Sequence, residues 1–247
     1  MQAYIGFDDT DTIDAERGTG KLARWFGQTL PPGCVLWGVV RQQLLVHPAI
    51  PYTSHNSSAC VVVNIPHEGV LEELITMAAG HIERHFIPGS DPGLCVATEK
   101  QPELGRIIEF GKTCTRRVVT QADARQAAAG AHLSGHGGTQ DGIIGAVAAV
   151  GLTAGGWNGR FIEYHGLREI PPEVEVASLM QRGIIPVPVE DDGPVPGPKD
   201  IVVSLGWLRP RLRGGSAVLP VVHQGSSVWE CVDKKAKSSA KEGRHGR

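Results

Sequence analysis

"GVLEELITMAAGHIERHF", residues 69–86, repeats apolar side chains at Leu71, Leu74, Ile75, Ala78 and Ile82. Steps of three and four place them on one face of a helix and leave the charged residues on the other. Two β-rich runs flank it, "ACVVVNI" at 59–65 and "GLCVA" at 93–97. Upstream, "AYIGF" (3–7) reads as a strand, and "KLARWFGQTL" (21–30) spaces Leu22, Phe26 and Leu30 four apart on a helix. "CVLWGVV" (34–40) and "QLLV" (43–46) are β-rich. The order is strand, helix, strand, strand, helix, strand, a split βαβ pattern like that of ferredoxin-like domains.

After about residue 98 the texture changes. "ELGRIIEF" (103–110) reads as helix and "RRVV" (116–119) as a short strand. Thr120 caps a helix through the Ala-rich stretch to about Ala131, and "SGHGGTQ" (134–140) is loop. "DGIIGAVAAVG" (141–151) predicts a helix of small residues that packs tightly against a sheet or a ligand, and "GRFIEY" (159–164) a strand. Residues 186–199, with five prolines and several acids, read as an exposed linker loop. "DIVVSLGWL" (200–208) and "AVLPVV" (217–222) are late strands, and the tail from Asp233 reads as disordered. These textures divide the chain into residues 1–98, 99–205 and 206–247.

The chain of 247 residues is long enough for one large or two ordinary domains, and 41% hydrophobic with 20% charged content fits a soluble globular protein. A formal net charge of −2 gives no global electrostatic case for nucleic acid or membrane. The last fifteen residues carry six basic and two acidic side chains, so the body is the more acidic for it. No apolar run approaches the ~20 residues of a membrane span, and the opening segment reads as a strand rather than a secretory signal. Five widely spaced cysteines with no CxxC pair predict free thiols in a reducing cytoplasm.

The chemistry concentrates at "IGFDDTDT" (5–12), where Asp8, Asp9 and Asp11 crowd the end of the first strand. Ligands in α/β architectures sit at such strand ends. Hard oxygen donors in that number suit Mg²⁺, which completes its shell with waters and substrate phosphates. An Asx-turn is the plainer reading of a single Asp here. Gly18, Thr19, Gly20 and Lys21 then lead into the first helix, where free N–H groups can meet a phosphate, with Thr19 as a helix cap the alternative. It is not a P-loop, because Ala15 and Leu22 stand where Gly and Ser or Thr would be required. "HPAIPYTSHNSSAC" (47–60) is longer than a hairpin needs and offers side-chain donors and acceptors, His55 and Asn56 among them. Asp91 in "GSDPG" and Asp141 in "GHGGTQDG" add single carboxylates to Gly-rich turns, where each has a turn or capping role as the alternative.

Together "GFDDTDT" (6–12), "GTGKLA" (18–23), "HPAIPYTSHNSSA" (47–59) with "GSDPG" (89–93), and "GGTQDGIIGAVAAVGL" (137–152) resemble, in order, the first two domains of the archaeal tRNA 2-agmatinylcytidine synthetase family over about residues 1–165. The resemblance implies an α+β chain with a kinase-like module and a ferredoxin-like domain. It also implies a cytoplasmic ligase- or kinase-type enzyme that uses ATP and Mg²⁺ and acts on a small amine or RNA, with tRNA as a candidate partner. By position, Asp8, Asp9 and Asp11 would hold Mg²⁺, and Thr19 would contact phosphate and itself be open to phosphorylation. Asn56 would close the IPY loop. Beside what the resemblance implies, Gly18, Gly20 and Lys21 are expected to bind phosphate with Thr19, and Tyr52, His55, Asn56, Asp91 and Asp141 to bind substrate. About 40 residues without a CxxC pair follow "DIVVSLGWL", which corresponds to a form without the family's OB-type and zinc-ribbon modules. Two further readings are a non-catalytic RNA-binding or regulatory module and a subunit that needs a separate tRNA-binding partner.

Overall fold

The structure is a computed structural model, which describes residues 1–51, 55–204 and 206–232. Twelve strands and six α-helices are found among the described residues, a mixed α/β protein. The expectations for Tyr52 and for the tail from Asp233 lie outside the described residues. The chain forms two compact units: Met1–His165 with Leu212–Gly215, and Gly166–Arg211 with Ser216–Arg247.

The first unit begins β1 (Gln2–Asp8), α1 (Thr19–Phe26), β2 (Val35–Gln43), β3 (Ser57–Asn64), α2 (Leu71–His85) and β4 (Gly93–Thr98). It continues with α3 (Leu104–Cys114), α4 (Gln121–Ala127), β5 (His132–Gly135), α5 (Gly142–Ala154) and β6 (Arg160–Glu163). Its strands lie in the order β5-β4-β1-β3-β2-β6, each antiparallel to its neighbours. Each βαβ crossover therefore brackets a strand of the other: β3 lies between β1 and β2, and β1 between β3 and β4.

Alternation along the strands sends successive side chains to opposite faces. Ala3, Ile5 and Phe7 of β1, with Ala59, Val61 and Val63 of β3, join Leu22 and Phe26 of α1 and Leu74 and Ile82 of α2 in one core. Tyr4, Cys60, Val62, Cys95 and Ala97 face the other way, against Ile107 and Phe110 of α3 and the length of α5. A run such as "ACVVVNI" is apolar at positions facing both sides, so it is satisfied only when both sides are covered. This places residues 99–165 in the same unit as residues 1–98, where the change of texture at 98 suggests a boundary.

The small residues of α5 serve that second layer. A Cβ on Gly6 would overlap the carbonyl oxygen of Ala146, and one on Gly93 the backbone of Gly142, so helix and sheet touch backbone to backbone. Residues 116–119, expected as a strand, are irregular, and β5 instead forms at 132–135, running into the first two residues of the stretch expected as loop. Thr120 caps α4 as expected, in a capping box with Asp123.

The second unit carries β7 (Glu173–Glu175), α6 (Val176–Gln181), β8 (Ile184–Pro188), β9 (Ile201–Val203), β11 (Ser216–His223) and β12 (Val228–Cys231); of β10 (Arg211–Arg213), Leu212 and Arg213 belong to the first unit. β8 pairs with β11 in parallel through residues 184–188, so the start of the Pro-rich stretch is strand rather than linker. Pro186 and Pro188 fit a strand that pairs along a single side. The indole N–H of Trp229 donates to Asp200 Oδ2 at 2.9 Å. No helix among the described residues is long and apolar enough to cross a membrane.

Candidate nucleotide site

β1 delivers its last side chain, Asp8, toward α5, and the chain then turns sharply: Asp9 sits at φ 50°, in the left-handed region that Asp tolerates better than most residues. This turn defeats simple alternation and gathers Asp8, Asp9 and Asp11 around a single cavity. The cavity, of about 400 Å³, lies wholly within the first unit. Asp141, Thr19, His55 and Asn56 line it with the three acids, and its other walls come from the 49–51 loop, residues 117–121 and the start of α5. Leu44, Ile50, Pro51, Val118, Val119 and Ile144 give those walls apolar stretches beside the polar Ser57, Arg117, Thr120 and Gln121. The volume and the contrast of apolar wall with convergent polar groups suit a small-molecule site.

The acids are held uncomfortably. Burial, followed by the charges of Asp9 and Asp11, pushes the Asp8 carboxyl up to about 8. Burial and then Asp91, Asp11 and Asp141 push Asp9 up to about 6. Cys114, which lines the same cavity, is pushed up to about 12 by burial and by Asp8. Arg117 contributes the one Arg or Lys among the described lining residues. Carboxylates so placed become favourable when a cation joins them.

Thr19 does not cap α1. Gly18 occupies the N-cap without a side-chain bond, and Thr19 begins the first turn, buried. Its hydroxyl donates to Asp11 Oδ1 (3.2 Å), and the same oxygen accepts from the Thr19 N–H (3.1 Å). The Thr10 hydroxyl and N–H point at Thr19 Oγ1 from 3.1 and 3.3 Å. The acidic loop and the helix start are thereby tied into one unit.

The other expected residues divide. Asn56 pins the long loop, its side chain donating to Leu45 O (2.6 Å) while its carbonyl accepts from Leu44 N–H (2.9 Å). Asp141 lines the cavity and accepts from Gln121 Nε2 (2.8 Å) rather than capping α5. Asp91 lies behind the wall: it accepts from the Thr139 N–H (3.1 Å) and hydroxyl (2.5 Å) and acts on the site through Asp9. Gly18, Gly20 and Lys21 are not among the lining residues, and Lys21 Nζ sits 5.3 Å from the centre of the Trp25 ring. Residues 117–121 and Cys114 were not legible as site residues, because they reach the cavity only through the packing of α3 on the sheet.

The donor chemistry fits Mg²⁺. Asp8, Asp9 and Asp11 present hard oxygens to one cavity, yet no three His, Cys, Asp or Glu side chains among the described residues converge into a ready metal cage. An ion that keeps several waters and takes other ligands from a substrate needs no such cage.

No protein-family model and no curated protein matches the chain. Solved structures do. A tRNA fluorescent labeling enzyme is 25% identical with a TM-score of 0.53, over 61% of this chain and 36% of its own. TiaS, a tRNA agmatidine synthetase, in complex with an isoleucine tRNA and ATP, is 23% identical with a TM-score of 0.53 over the same shares. Its complex with that tRNA, AMPCPP and agmatine is 24% identical with a TM-score of 0.50. The chain shares their fold over that part. It spans about a third of their length, matching 35–36% of each.

Proposed function

We propose that the first unit is an ATP·Mg²⁺-dependent phosphoryl-transfer enzyme of the kind represented by tRNA agmatidine synthetase, with a kinase-like site on a ferredoxin-like core. One observation carries this reading: four carboxylates, Asp8, Asp9, Asp11 and Asp141, line one cavity of about 400 Å³ that also has apolar walls, and Asp8 is pushed up to about 8. Ionised together, these carboxylates would repel a polyphosphate, and a cation that joins them removes that repulsion. The apolar walls at Ile50, Pro51, Val118 and Val119 offer the surface that a purine ring buries.

Asp8, Asp9 and Asp11 would hold the ion, which when bound supplies charge neutralisation for the phosphates. Catalysis of phosphoryl transfer rests mainly on positioning and electrostatics. Thr19 is fixed by Asp11 and Thr10, so its hydroxyl is presented in one orientation, and Asp11 accepts its hydrogen bond as a base would. The neighbouring folds bind tRNA, ATP or its analogue, and agmatine in their crystals. On this reading the acceptor is a small amine or an RNA base.

Thermal stabilisation by ATP, compared in Mg²⁺ and in EDTA, tests the reading through mass action. Stabilisation confined to the Mg²⁺ sample, with release of ADP or AMP seen by chromatography, is expected. Equal shifts in both samples would remove the metal from the site, and no shift at all would remove the nucleotide.

A further inference from the structure

β5 carries a second group of ligating side chains, away from the acidic cavity. It is the end strand of its unit's sheet and pairs with β4 in the register Leu94↔Ser134 and Val96↔His132. Leu94 and Val96 belong to the core shared with α1 and α2, so His132 and Ser134 lie on that face. His136, one residue past the strand, reaches the same point. Ser134 Oγ lies 2.9 Å from His132 Nε2 and 2.9 Å from His136 Nε2. On the far side of the second ring, Glu83 Oε1 of α2 stands 3.9 Å from His136 Nδ1.

The hydroxyl has one proton to give, so one imidazole accepts from it and the other donates to it. Burial holds both rings below the ordinary histidine range, assisted at His132 by the His136 charge. Imidazole binds metals in its uncharged form. Glu83 favours the proton on Nδ1 of His136 and leaves its Nε2 lone pair aimed at Ser134. At 3.9 Å the carboxylate is beyond hydrogen-bond reach, but it stands on the side of the ring from which a carboxylate orients a ligating histidine once the two close up. Two half-buried imidazoles sharing one hydroxyl are weakly repaid for their desolvation, since a neutral hydrogen bond returns about 1 kcal/mol. A cation bound by both Nε2 atoms, with the Ser134 hydroxyl moved aside and His132 carrying its proton on Nδ1, repays both.

We propose that His132 and His136, through their Nε2 atoms, bind a borderline divalent cation of the Zn²⁺, Ni²⁺ or Cu²⁺ type, with water or the Ser134 hydroxyl completing its shell and Glu83 orienting His136. The two-histidine set differs in kind from the oxygen donors around Asp8, so nitrogen-seeking metals should distinguish the sites.

Calorimetric titration of the full chain with NiCl₂ and with ZnCl₂, without nucleotide, provides the test. One site should persist in Asp11→Asn, disappear in His132→Gln and in His136→Gln, and weaken about 10–100-fold in Glu83→Gln. Ser134→Ala should retain it. Binding that survives both histidine substitutions, or is lost in Asp11→Asn alone, would overturn the proposal. If the histidine variants fail to fold, electron paramagnetic resonance of the Cu²⁺-loaded Glu83→Gln and wild-type proteins decides instead. Nitrogen coupling that weakens in Glu83→Gln supports the site, and an oxygen-only spectrum in the wild type refutes it.

Discussion

The carboxylate of Asp8 rests against the backbone of Gly145, so closely that a Cβ on that glycine would overlap Asp8 Oδ2. The first turn of α5 is thus part of the acidic site, and the missing side chain at Gly145 is what lets Asp8 lie between helix and cavity. Gly to Ala in a helix interior ordinarily stabilises by up to about 1 kcal/mol. In Gly145→Ala the sign should reverse, because Asp8 or the helix must move. A melting curve should show a loss of stability, and an ATP titration in Mg²⁺ should show affinity reduced at least tenfold. A variant that melts higher and binds ATP normally would show that Asp8 has room to spare.

The same crowding should make the protein without metal less stable as the pH rises. Asp8 and Asp9 have folded-state values of about 8 and about 6, raised above the ordinary 3.8. For a raised pKa, the neutral form favours folding: the contribution is complete below about pH 4 and is lost as the pH climbs through the folded values. One such group tilts stability by at most about 1.4 kcal/mol per pH unit. Melting temperature in EDTA should therefore fall between pH 5 and 8, and Asp8→Asn should flatten that fall. Saturating Mg²⁺ should flatten it too, by making the charged form the favoured one. A melting temperature that is level or rises over this range in EDTA would contradict the burial of these acids.

Much of the first sheet was legible because Leu71, Leu74, Ile75, Ala78 and Ile82 keep a helical period and the valine runs on either side do not. The three acids were legible as a cluster for a local reason as well, their closeness in sequence. Three features were not, and each depends on distant packing. The left-handed turn at Asp9 reorients the loop. Lys21 is drawn to Trp25 and away from the cavity. Residues 117–121, which read as strand and helix cap, become a wall only once α3 lies across the sheet. The prolines at 186 and 188 suggested a linker because composition carries no information about which side of a strand is paired.

Thr19 separates a structural from a chemical role. With Gly18 at the N-cap, loss of the hydroxyl removes bonds to Asp11 and Thr10 but no helix cap. Thr19→Ala should therefore lower stability by about 1 kcal/mol. A thousandfold loss of ATP turnover in folded protein corresponds to about 4 kcal/mol at the transition state, well beyond that. Thr19→Ser should keep most of the activity, and mass spectrometry after incubation with ATP should find phosphate on residue 19 of the wild type. Normal turnover by Thr19→Ala would leave the carboxylates to act without it.

Arg117 faces the cavity from the end of α3 and is the one arginine or lysine among its described lining residues, since Lys21 is held at Trp25. A nucleotide polyphosphate with one divalent ion still carries net negative charge, and guanidinium is the group best shaped to meet phosphate oxygens in pairs. Arg117 is largely exposed and takes no part in either buried core, so its removal should leave the fold intact. Arg117→Gln should melt within about 0.5 kcal/mol of the wild type, the usual range for a surface change. Its ATP affinity should fall about tenfold, close to 1.4 kcal/mol, for loss of a charged hydrogen-bonding partner. Arg117→Lys should recover part of that loss, because it restores the charge without the fork. The KM for ATP and kcat, measured for all three proteins, tell where the residue acts. A change confined to KM places Arg117 on the bound nucleotide in the ground state, and a matching fall in kcat places it on the charge that develops during transfer. Unaltered constants in Arg117→Gln would mean that the phosphates lie away from this wall and are met by the metal and backbone alone.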